Sequence, residues 1–89
     1  MRRVRTTGQF RKDLKKSVKR GKKIEKLTEI IESLQQGKIL SLAQKDHALK
    51  GYWIGCRECH IEPDWLLVYR LEENDLVLVG TGTHTDLFD

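Results

Sequence analysis

The chain has 89 residues, 34% of them charged and 38% hydrophobic, with a net charge of +4. A chain of that length makes one small domain with a thin core. It excludes a doubly wound dinucleotide-binding enzyme, a barrel enzyme and any cleft between domains, so an active site must lie shallow on one sheet or groove. The net charge conceals a split. Residues 1–26 hold twelve Lys or Arg against Asp13 and Glu25, a balance of +10, and residues 27–89 hold five against eleven acids, a balance of −6. Such a basic segment points to a polyanion, either nucleic acid or an acidic protein. It lacks the bulky apolar face that binding to a membrane surface uses, and no stretch reaches the ~18 apolar residues of a membrane span. Met1-Arg2-Arg3 has the charge of a signal-peptide start, but no apolar region follows. The expected location is therefore the cytoplasm, with Cys56 and Cys59 as thiols rather than a disulfide.

Residues 1–89 read as one domain without repeat or linker. Residues 1–6 alternate basic and small residues, the pattern of a short strand. Thr6 and Gln9 have capping-box spacing, predicting a helix start. Phe10, Leu14 and Val18 then form a narrow apolar stripe on an otherwise basic helix that Gly21 ends. A second helix carries Ile24, Leu27, Ile30, Ile31 and Leu34, with Gly37 as its C-terminal glycine. Residues 38–51 read as irregular. Segments 52–61, 65–71 and 76–81 then have strand composition, with turns at Pro63-Asp64 and Glu72–Asp75 and a bulge expected at Gly55. The predicted order is β-α-α-β-β-β, an α+β domain with two helices on an antiparallel sheet.

All three histidines lie in the strand half. In a meander the first and third strands end at the same edge, which brings His60, Asp64, Trp65 and His84 together. His47 joins them only if its loop folds back. Imidazoles beside a carboxylate supply a proton donor and a proton acceptor near neutral pH. RNA offers the matching reaction: its 2′-OH attacks the adjacent phosphorus once deprotonated, and the 5′-oxygen leaves once protonated. A cation near the phosphate and an aromatic ring under a base complete such a site. Trp65 and Phe88 are the aromatic candidates.

Cys56-Arg57-Glu58-Cys59-His60 also matches the C-x-x-C-H haem-attachment pattern. No export signal precedes it, the only methionine is Met1, and in a strand residues three apart face opposite ways. A zinc site has the ligand types but lacks a second close ligand pair. No metal or cofactor is expected.

Four blocks carry a resemblance: Gly8-Gln9-Phe10-Arg11-Lys12-Asp13; Asp46-His47-Ala48-Leu49-Lys50-Gly51-Tyr52-Trp53; Arg57-Glu58-Cys59-His60-Ile61-Glu62-Pro63-Asp64-Trp65 with Leu66–Tyr69; and Thr81-Gly82-Thr83-His84-Thr85-Asp86-Leu87-Phe88. In order and spacing the chain resembles the YafQ branch of the RelE/ParE toxin superfamily along almost its whole length. The resemblance implies a microbial-ribonuclease-like fold and a toxin that cuts mRNA on the translating ribosome without a metal. It implies a cognate antitoxin, usually of ribbon-helix-helix type, that silences the toxin and with it represses their operon, so operator DNA is met only through that complex. It places function on His47, His60, Asp64, Trp65, His84 and Phe88. His84 is the expected acid and His60 or His47 the base. Asp64 would orient an imidazole or act as base, Trp65 would hold a base or wall the site, and Phe88 would support His84.

Two residues depart from the pattern. Gly80 stands where such toxins commonly carry an arginine, so either Arg57, Lys45 or Lys50 substitutes as the phosphate-contacting cation or activity is weaker, and Arg57-Glu58 replaces Arg-Asp. The basic helix, through Arg11, Lys12, Lys15, Lys16, Lys19 and Arg20, is expected to dock on ribosomal RNA and an acidic antitoxin segment. Two other readings of the same fold remain: a binding module that does not cut efficiently, and a ParE-like gyrase inhibitor.

Overall fold

The first helix starts one residue later than the capping-box spacing suggests. In the computed structural model, which describes all of residues 1–89, β1 spans Arg3–Thr6 and α1 Gly8–Lys19. Thr7 is the N-cap. Its hydroxyl accepts from the Phe10 N–H at 3.0 Å and donates to the Val79 carbonyl at 2.8 Å, which stitches the helix start to the sheet. Gln9 donates to Asp13 instead of closing a box. Phe10 is buried and Leu14 packs on the core, but Val18 is exposed and the buried residue of that turn is Ser17, whose hydroxyl donates to the Asp13 carbonyl. Gly21 and Gly37, at φ +78° and +73°, lie just past the ends of α1 and of α2 (Ile24–Gln35), where a left-handed residue closes a helix.

The remaining elements are a 3₁₀ turn at Leu42–Gln44, β2 (His47–Ala48), a second 3₁₀ turn at Gly51–Trp53, β3 (Arg57–Glu62), β4 (Trp65–Leu71), β5 (Asp75–Gly82) and α3 (His84–Phe88). The sheet order is β1-β5-β4-β3-β2. The antiparallel meander is present, but the sheet is mixed: β1 runs parallel to β5, Arg3 beside Asp75 and Thr6 beside Leu78. The two helices between β1 and the meander allow this, because a parallel pairing needs a long crossover. Segment 52–56 is not strand. Gly55 lies in the turn before β3, and the register shifts fall at Ile61 and Val79.

One face of the sheet carries the core. Phe10, Leu27, Ile30 and Leu34 of the helices pack on Cys59, Trp65, Leu67, Tyr69, Leu76 and Leu78. Leu27 is fully enclosed, and its truncation to alanine is expected to cost about 2–5 kcal/mol. Strand alternation sends Glu58, His60, Leu66 and Val68 to the opposite face. The irregularity at Val79 re-aims the end of β5, so that Thr81 points to the core while Gly80 sits beside Val68 on the opposite face. That second face holds the candidate chemistry.

Candidate active site

Cross-strand pairing sets the centre. His47 lies beside Glu58 in the β2–β3 pair, and His60 follows Glu58 by two residues on the same face of β3. The irregular loop does fold back, because β2 forms the outer edge of the sheet. Both imidazoles turn Nε2 toward one oxygen of Glu58, His60 at 3.5 Å and His47 at 3.8 Å. Both place Nδ1 on a backbone carbonyl, His47 on Lys45 at 2.6 Å and His60 on Pro63 at 3.2 Å. A carbonyl only accepts, so Nδ1 carries the proton in each ring. Nε2 is then the nitrogen that gains or loses a proton, and protonation turns its contact with Glu58 into an ion pair. Glu58 is only 4% exposed, and a carboxylate in that setting needs a charged or hydrogen-bonded partner. Sequence reasoning noted Glu58 only as a substitution. Its position two residues before His60 in a strand was the signal that placed both on one face.

The third histidine comes from the other end of the meander. His84 opens α3, which Thr83 and Asp86 cap reciprocally. Its ring centroid lies 5.9 Å from that of His60 and 5.9 Å from Phe88. Asp64, in the β3–β4 turn, has Oδ1 3.5 Å from the His84 backbone N–H and 3.8 Å from its Nδ1. Phe88 in turn meets Trp53 edge-on at 5.5 Å. His47, Glu58, His60, His84, Asp64 and Phe88 thus form one continuous cluster at one end of the second face.

Two expected substrate contacts lie elsewhere. Trp65 is 1% exposed in the core, with Nε1 donating to Thr81 Oγ1 at 2.9 Å, so its faces are not available to a base. Trp65 starts β4 on the core side, and Leu66 takes the position facing His60. Arg57 precedes Glu58 and so points to the opposite face, where Nε meets Asp46 at 3.2 Å. Tyr69 Oη donates to the same Asp46 oxygen at 2.5 Å. Burial, then that hydrogen bond, pushes the Tyr69 hydroxyl well above its ordinary value. Of the cations named for the phosphate, Lys45 lines a depression with His60, Glu62 and Pro63. Lys50 stands exposed before the second 3₁₀ turn.

The basic helix is partly spent on the fold. Arg20 and Lys16 pair with Asp86 at 2.6 and 3.4 Å, and Arg11 bonds to Thr6. Lys12, Lys15 and Lys19 remain exposed. Cys56 and Cys59 are free and buried. Burial, with the charges of Asp46 and Glu58, pushes the Cys59 thiol up to about 12, which keeps it an unreactive thiol. No group of three or more His, Cys, Asp or Glu side chains is arranged to hold a metal ion, and no helix is long and apolar enough to cross a membrane.

The profile of the family described as "Bacterial toxin of type II toxin-antitoxin system, YafQ" matches residues 2–89. The mRNA interferase toxin YafQ of Escherichia coli K12 is 41% identical over 86 residues, covering 96% of this chain and 94% of that protein. The toxin in the crystal structure of the E. coli DinJ-YafQ toxin-antitoxin complex superposes with a TM-score of 0.90 at 40% identity, covering 99% of this chain and 98% of that one. A metal-bound toxin from Helicobacter pylori superposes with a TM-score of 0.93 at 42% identity, covering 99% and 100%. Together with the mixed five-stranded sheet and its histidine-lined face, these matches assign the chain to the YafQ family of type II toxin–antitoxin toxins.

Proposed function

We propose that the protein is a ribosome-dependent endoribonuclease that cuts translated mRNA by acid–base catalysis from its histidines without enlisting a metal. The carrying observation is the cluster of three imidazoles and two carboxylates, with His47 and His60 sharing Glu58 and His84 beside Asp64. The His47–Glu58–His60 group is suited to take the proton of the attacking 2′-OH. His84, exposed at the start of α3 and oriented by Asp64, is suited to give one to the leaving 5′-oxygen. Each positioned acid or base contributes about 10²- to 10⁴-fold. Lys45 supplies positive charge beside His60.

A shallow site on a small domain suits a substrate positioned by something larger, and the free face of α1 (Lys12, Lys15 and Lys19) suits docking on ribosomal RNA. The partner that silences the toxin is a cognate antitoxin, of ribbon-helix-helix type by family resemblance. Operator DNA is met through that complex, and the toxin acts in the cytoplasm. Gly80, in place of a cation, favours the rival reading of a binder that does not cut. Primer extension separates the two: ribosomes programmed with a message and given the toxin should yield new 5′ ends that free message does not. No new ends in either arm would sink the cleavage reading.

A further inference from the structure

The rings of the site do not stop at Phe88. Beyond Trp53 lies Tyr52, 5.4 Å away and edge-on at 83°. Tyr52 is 92% exposed, and Ile54, two residues on, is also exposed. A large aromatic held in water at the end of a ring series that begins at His60 has an unmet surface. Tyr52 and Trp53 also wall an open pocket with Thr7, Gln9 and Gly80. Gly80 contributes backbone alone, and a Cβ there would stand 3.1 Å from Asp13 Oδ2 and 3.3 Å from Leu87 Cδ2. The only charged lining residue is Asp86, already held by Arg20 and Lys16.

A pocket lined by two aromatic rings, a few polar side chains and no cation suits a flat neutral group with polar edges, not a phosphate. We propose that Tyr52, Trp53 and the bare backbone at Gly80 form a base-binding subsite, in which Tyr52 stacks one unpaired nucleobase of the RNA strand whose backbone passes the histidines. Stacking there makes up binding that a cation at position 80 would otherwise supply. The subsite rests on the ribonuclease reading, because the ring series ties it to His84 and His60. Every base has a π-face, so the contact gives affinity with little sequence preference.

The test uses the full chain as the His84→Ala variant, so that RNA stays uncut, and a fluorescein-labelled RNA hexanucleotide read by anisotropy. A second hexanucleotide carries one central abasic residue. Tyr52 stands in solvent, so its replacement spares the fold. Tyr52→Ala should weaken binding about 5- to 100-fold, and Tyr52→Phe should stay within about twofold of the parent. The abasic RNA should lose as much and be indifferent to Tyr52→Ala. Unchanged affinity in Tyr52→Ala, losses that simply add, or no binding by the Tyr52 protein would overturn the subsite and leave Tyr52 and Ile54 as a protein-contact surface. The two ideas fail separately. Tyr52-dependent binding without cleavage on ribosomes removes the reaction and keeps the subsite, and cleavage with Tyr52-independent binding does the reverse.

Discussion

The helical front of the chain and its strand half differ in what their charges do. Arg3, Arg5, Lys16, Arg20, Lys22 and Lys26 of the basic front all reach acids of the strand half: Asp75 and Glu72, Asp86, and Glu62. Half of its twelve cations are thus spent holding β5, α3 and the end of β3 in place. The acids of the strand half divide as well. Glu62, Glu72, Asp75 and Asp86 neutralise the front, while Glu58 and Asp64 face histidines. A raw charge balance therefore overstates what remains for a partner. The free remainder of α1 is the proposed docking face, and the proposed chemistry belongs to the strand half.

The largest effect that can break this division is at the histidines. His60→Ala should lower cleavage on programmed ribosomes by about 10²- to 10⁴-fold with its melting temperature kept. Near-normal cleavage would remove His60 from the chemistry. Glu58→Gln should follow with a smaller loss, because the amide keeps the shape of the site while removing the charge that both imidazoles face.

The docking face comes next. Lys12, Lys15 and Lys19 changed together to Glu should weaken ribosome binding and flatten its dependence on salt. A binding curve that matches the parent at every salt concentration returns these lysines to a solvated surface. The smallest effect is structural. Arg20 holds the Asp86 carboxyl far below the ordinary carboxylate range, with Thr83 adding to it, and Glu62 and Asp75 are lowered by Lys26 and Arg3 respectively. For groups lowered on folding, the stabilisation is complete above the unfolded value near pH 4 and is lost as pH falls through the folded values. The protein should therefore lose stability below about pH 4. Asp86→Asn should be less stable at pH 7 and less sensitive to acid, as read by thermal melts across that range.

Both long helices, the meander and the meeting of His60 with His84 were legible, because they rest on local periodicity and on the geometry of a meander. The parallel pairing of β1 with β5 was not, since what Arg3–Thr6 lies beside is decided some seventy residues later. Trp65 reads as a base-stacking ring until its face is known. As the first residue of β4 it points to the core, and the register shift at Ile61 settles that relation to His60. Arg57 and Glu58 show the same lesson in adjacent residues: alternation gives one to the Asp46–Tyr69 cluster and the other to the imidazoles. Tyr52 read as part of a strand, whereas the 3₁₀ turn at Gly51–Trp53 leaves it in solvent.

The separation of docking from chemistry is the central claim, and one measurement addresses it directly: the single-turnover rate of mRNA cleavage on programmed ribosomes at saturating toxin. The Lys12, Lys15 and Lys19 to Glu variant should need more protein to saturate but reach the parental rate, while His84→Ala should saturate normally and cut about 10²- to 10⁴-fold more slowly. A lysine variant that stays slow at saturation, or a His84→Ala variant that keeps the parental rate, would contradict it.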